Sequence, residues 1–154
     1  MTMQCTDPFV WNGKEWIFLG ASNVYKLFDP KKYKLIPEMI STACYKGFII
    51  YFRVTDDLLY LDRLIIRCAD NKYPPINNVI PEKYSKYYKD VMDYKNINLL
   101  LPFSGHIIVG SDLDPDFEGR AFIGPHAYKT TYELKFKKGK FISSKETSGT
   151  YEGF

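Results

Sequence analysis

The chain has 154 residues, a size that fits one domain, with 45% hydrophobic and 25% charged residues. Such a balance excludes a disordered chain, and the net charge of +3 is too mild for the footprint of a nucleic-acid-binding domain. The unusual feature is aromatic content, 17% of the chain, in which 13 tyrosines supply half.

Taken in chain order, the first signal is Trp11-Asn12-Gly13-Lys14-Glu15-Trp16. Asn-Gly suits a type I′ turn, which needs positive φ at both central positions. Phe9–Trp11 and Glu15–Leu19 are therefore predicted to pair. Asp29-Pro30-Lys31-Lys32-Tyr33 reads as one helical turn, capped by Asp29 and started by Pro30. Ile40–Ala43 and Gly47–Val54 are rich in β-branched and aromatic residues and are predicted strands. The polar turn Thr55-Asp56-Asp57 leads into Leu58–Arg67, a strand apolar on both faces, as a strand covered on both sides would be. The hairpin Gly47–Arg67 is the expected centre of the sheet.

Asn71–Ile80, with Pro74-Pro75 and Asn77-Asn78, reads as a loop. In Pro81–Tyr94, Tyr84, Tyr87, Tyr88, Val91 and Met92 recur at helical spacing, which predicts the one main helix with a stripe packed on the sheet. Ile97–Leu101 and Gly105–Gly110 are predicted strands, and Ser111–Pro125 a long acidic loop. Tyr128–Phe136 and Lys140–Ser144 frame a hairpin turn at Lys137-Lys138-Gly139. The expected fold is α+β: a mainly antiparallel twisted sheet or partly open barrel with one main helix over 81–94. Residues 1–144 form the single domain and 145–154 a mobile tail.

No basic and apolar leader opens the sequence, and no apolar run approaches the roughly 18 residues of a membrane span. Cys5, Cys44 and Cys68 are odd in number and scattered, so the expectation is free thiols and a cytoplasmic location. Cys44, on an apolar strand, reads as an inert buried thiol rather than a nucleophile.

Two features carry the functional reading. Asp112, Asp114, Asp116 and Glu118 alternate like the start of a calcium loop, but Phe117 stands where the loop needs glycine and Ile123 where it needs glutamate. His106 and His126 flank this loop in sequence, and convergence with Asp112 would offer acid–base or metal chemistry. Their spacing fits no zinc pattern, no phosphate loop or hydrolase elbow is present, and no cofactor is expected. Exposed tyrosines, Tyr128 among the candidates, are suited to protein interfaces.

The segment Thr42-Ala43-Cys44-Tyr45-Lys46-Gly47-Phe48, followed by Tyr51-Phe52 and Leu58-Leu59-Tyr60-Leu61, resembles small uncharacterised bacterial proteins. These carry a Thr-Ala-Cys-Trp-Arg-Gly-Tyr-like segment leading into an aromatic hairpin. The resemblance covers about a third of the chain. It implies a shared β-hairpin core and carries over no catalytic residue.

The leading expectation is a non-enzymatic protein-binding module of bacterial type, immunity-like or accessory. Its surface would be the acidic loop 112–118 with His106, His126 and Tyr128, and its partner another protein, with neither membrane nor specific nucleic-acid binding. Two alternatives stand beside it. One is a metal-binding protein or small enzyme centred on His106, His126 and the acidic loop. The other is a β-barrel holding a small molecule in an aromatic interior.

Overall fold

The computed structural model describes residues 4–88, 90–120 and 123–152. Strand follows strand: β1 (Asp7–Trp11), β2 (Lys14–Ala21), β3 (Phe48–Thr55), β4 (Leu58–Arg67), β5 (Glu82–Lys83), β6 (Val91–Tyr94), β7 (Leu99–Leu100), β8 (Gly105–Leu113), β9 (Tyr128–Lys137) and β10 (Lys140–Glu146). The one α-helix among the described residues, α1 (Val24–Leu27), is a single turn capped by Asn23. The architecture is therefore mainly β, not the α+β fold with a long helix that the sequence suggests.

The sheet runs β10-β9-β8-β2-β1-β3-β4-β6-β5, with β7 on β4. Lys140 of β10 also faces Leu58 of β4, so the path from β10 to β4 returns on itself as a ring of strands. Among the described residues every strand pairing is antiparallel except β1 with β3, which meet in parallel at Phe9–Phe52 and Val10–Arg53.

Local chemistry explains the turns. Asn12 and Gly13, Asp56 and Asp57, and Lys138 and Gly139 all have positive φ at both central positions. This twist matches the flanking strands, as type I′ turns do. The hairpins expected at Trp11–Trp16, Gly47–Arg67 and Tyr128–Ser144 are all present. The capped turn at Pro30–Tyr33 is present as well, with Asp29 accepting from the Lys31 N–H.

The ring interior is filled by its own side chains. Phe9, Leu59, Leu61, Ile107, Val109 and Leu134 are wholly buried. Beside them Trp11, Trp16, Tyr132 and Phe141 stack at tilted or edge-on angles. These aromatic side chains thus form part of the packed core.

Several sequence expectations are corrected. Among the described residues of 81–94 there is no helix: 91–94 is a strand paired with β4, Ile65 facing Asp93 and Ile66 facing Met92. Val91, Asp93 and Tyr94 are buried, and β4 gains backbone partners it would otherwise lack. Ile40–Ala43 is not a strand but leads into a tight turn bridged from Ser41 to Cys44. Ile97–Leu101 contributes only the two-residue β7, anchored by buried Ile97 and Leu101. β8 extends to Leu113, into what reads as loop. The segment expected to be free from 145 continues β10 to Glu146, and Thr147 is buried with its hydroxyl 2.8 Å from that of Thr131. Phe154 and Gly153 lie outside the described residues.

The thiol expectation is also corrected. Cys5 and Cys44 form a disulfide, while Cys68 is free and buried. Around it, the Cys5 N–H donates to Ala43 O at 2.6 Å and the Gln4 side chain bonds Thr42 O and the Tyr45 N–H. Lys46 pairs with buried Asp7, which also accepts from the Ile50 N–H at 3.0 Å. Burial pushes the Asp7 carboxyl up, and the Lys46 charge opposes that shift. The cytoplasmic assignment rested on free thiols and loses that basis.

Candidate functional site

The outer face of β3, β4 and β6 carries Ile49 opposite Ile65, with Val91, which faces Arg67, on the same side. Ile65 and Val91 are only 2% exposed although they point away from the ring interior. What covers them is irregular chain. On one side lies the turn 41–44 with the Cys5–Cys44 disulfide, and on the other the segment between β5 and β6, bringing Tyr84 and Tyr88. Between these walls is an apolar groove of about 160 Å³. That volume suits one aliphatic or aromatic side chain rather than a drug-sized ligand, which needs roughly 300 Å³ or more.

Tyr84 and Tyr88 line this groove, and Tyr87 lies between them in sequence. Tyr84 is 43%, Tyr87 81% and Tyr88 47% exposed, and Tyr45 beside the disulfide is 55% exposed. Tyr84 and Tyr88 approach each other with ring centroids 6.4 Å apart. The Lys86 amine lies 5.3 Å from the centre of the Tyr87 ring. The Ser85 hydroxyl accepts from the Tyr87 N–H at 3.0 Å, fixing the bend. Beneath, Asp93 is 3% exposed and takes a two-pronged bond from Arg63, at 3.0 and 2.8 Å. Those bonds raise the Arg63 pKa further above its already high ordinary value. The pair ties β6 to β4 directly under the tyrosine segment.

These tyrosines were assigned by helical spacing to a packed stripe, and the structure exposes them instead. The signal against burial is in the sequence: Tyr84-Ser85-Lys86-Tyr87-Tyr88 contains no aliphatic residue, whereas a stripe facing a core is normally led by Leu, Ile or Val.

The acidic loop has a different character. Asp112 is exposed with φ of 67°. Asp114 caps the short turn Pro115–Phe117 by accepting from the Asp116 N–H at 3.0 Å. Its own N–H donates to Ala127 O at 2.8 Å. Asp116 and Glu118 are exposed. His126 packs edge-on against Phe117, with centroids 5.1 Å apart. Arg120 lies over the other part of this cluster, 4.9 Å from the Phe117 ring centre. Part of this acidic loop is therefore turn chemistry.

His106 is not in that cluster. It faces Lys135 near the start of β8 and lies 3.8 Å from Glu133, whereas Leu113 at the other end of the strand faces Tyr128. Six residues of strand separate His106 from Asp112, about 20 Å at the usual rise. The convergence of both histidines with Asp112 is thus corrected by the register of β8. Among the described residues no three His, Cys, Asp or Glu side chains are placed to hold a metal. Tyr128 is 7% exposed, and burial raises its phenol pKa. Its ring lies against Gly110, where an added Cβ would come within 3.1 Å of the Tyr128 Cγ.

No helix among the described residues is long and apolar enough to cross a membrane. No family model matches the chain, and neither the curated proteins nor the solved structures contain a significant match to it.

Proposed function

We propose that the protein is a non-enzymatic binding module for another protein, of the accessory or immunity-like kind found in bacteria, and that it binds through the tyrosine-rimmed groove. The observation that carries this reading is the exposure of Tyr84, Tyr87 and Tyr88 on one segment, of which Tyr84 and Tyr88 line an apolar groove. Tyrosine gives a large rigid contact area with two rotatable angles and a polar tip, which is why it is concentrated at interface centres. The groove would take one apolar anchor of the partner, and the tyrosines would exclude water around it. The acidic loop, with three of its carboxylates on the surface, is an electrostatic rim in this reading: it would speed encounter more than it holds the complex.

Capture of partners from the native cell tests this with two variants. Tyr84→Ser, Tyr87→Ser and Tyr88→Ser combined should weaken capture at least thirtyfold, the scale of about 2 kcal/mol expected of a lost hot spot. Asp112→Asn with Asp116→Asn should retain the complex. The reverse pattern would move the interface to the acidic loop.

A further inference from the structure

A second cleft, unconnected with the tyrosine groove, lies where the β1–β2 and β3–β4 turns meet β10. It has a volume of about 500 Å³ and is lined by Trp11, Asn12, Asp56, Asp57, Phe141 and Ser144, with the backbone of Gly13. Its construction follows from the turns. The Phe141 N–H donates to Asp57 O at 2.8 Å, which draws the acidic turn onto β10. Trp11 and Phe141, with centroids 6.1 Å apart, then form the aromatic floor.

The charges of this cleft are one-sided. Asp56 and Asp57 are both exposed at its rim, and no Lys or Arg belongs to its lining. Neither carboxylate has an ion pair or a side-chain hydrogen bond among the described residues. Three neighbouring polar groups, the Asn12 amide, the Ser144 hydroxyl and the Gly13 backbone, can orient a bound donor. The aromatic cluster already accepts a cation elsewhere: the Lys14 amine sits 4.3 Å from the centre of the Trp16 ring, and Trp16 packs on Trp11 at 5.6 Å.

We infer that this cleft binds an organic cation of the alkylguanidinium or alkylammonium type, its charge between Asp56 and Asp57 and its alkyl stem on Trp11 and Phe141. The volume falls within the range of small-ligand sites. Carboxylates bind a guanidinium through paired hydrogen bonds, and the ring faces add cation–π attraction. The cation can be a free small molecule or the side chain of an arginine in a peptide.

Titration of the protein with butylguanidinium, followed by amide and indole NMR shifts, tests the inference. Saturable shifts are expected at Gly13, Asp57 and the Trp11 indole, and none with butylurea, the neutral analogue of the same shape. Asp56→Asn with Asp57→Asn should weaken binding at least tenfold while keeping the fold, because Asn tolerates the positive φ of this turn. A short glycine peptide with one central arginine separates the two sources: tighter binding than butylguanidinium assigns a protein side chain, weaker binding a free metabolite. Equal shifts with butylurea, no saturable shift, or unchanged affinity in the double variant would overturn the inference.

Discussion

Denaturant unfolding with and without a thiol reductant should give stabilities that differ by about 4 kcal/mol, with the reduced protein the weaker. Cys5 and Cys44 are 39 residues apart in sequence with Cα atoms 5.2 Å apart, so the bond closes a long loop in the unfolded chain. The magnitude follows from the entropy that such a closure removes from the unfolded state. The loop contains β1 and β2, and its ends lie at the entries to β1 and β3, the one parallel pair of the sheet. A parallel pair cannot be joined by a tight turn and must be brought together across a crossover. The disulfide supplies that juxtaposition covalently. Thiol titration in denaturant without reductant should find one reactive thiol per chain, Cys68. Three thiols, with no effect of reductant on stability, would contradict the assignment.

Gly47→Ala should destabilise the fold by about 2 to 4 kcal/mol in urea denaturation, more than a surface glycine would. Gly47 has φ of +83°, and a Cβ there would lie 2.3 Å from Glu38 O and 2.7 Å from its carbonyl carbon. The neighbours cannot yield easily, since both are backbone. The Glu38 N–H donates to Arg67 O at 2.8 Å, and the Arg67 N–H to Gly47 O at 3.0 Å. Just beyond, the Ala69 N–H donates to Ile36 O at 2.8 Å. Moving Glu38 away from a new methyl group would therefore disturb the end of the β3–β4 hairpin and the wall of the tyrosine groove together. A loss below about 0.5 kcal/mol, the range of an ordinary surface substitution, would show that this crossing is looser than described. Gly13, at φ of +73° with nothing within 4 Å of its added Cβ, is the control for conformation without contact.

The legible part of this fold was local. Asn12-Gly13 and Asp56-Asp57 fixed hairpins because few residue pairs accept two consecutive positive φ values. Leu58–Arg67 was readable as a strand covered twice, and the structure supplies the second cover in the disulfide turn and the tyrosine segment over Ile65. What failed was long-range. The spacing from Tyr84 to Met92 fits a helix, but the choice was made by β4, whose edge pairs with Val91–Tyr94. Five residues of coincident periodicity cannot outweigh a row of backbone hydrogen bonds and a buried Tyr94. Cys5 and Cys44 carried no local mark of pairing, because their approach depends on β1 lying beside β3. The site was half legible. The surface character of Asp112, Asp116 and Glu118 was visible, while the separation of His106 from them depends on the length and register of β8.

The central claim is that a partner protein lies against the tyrosine groove, and photo-crosslinking in the native cell tests it most directly. Benzoylphenylalanine would replace Tyr87, 81% exposed on the segment whose Tyr84 and Tyr88 line the groove, and in a separate variant Tyr25, 73% exposed on α1 and outside that segment. The expected result is a discrete protein adduct from Tyr87→benzoylphenylalanine and none from Tyr25→benzoylphenylalanine. No adduct at position 87, or the same adducts from both positions, would contradict the claim.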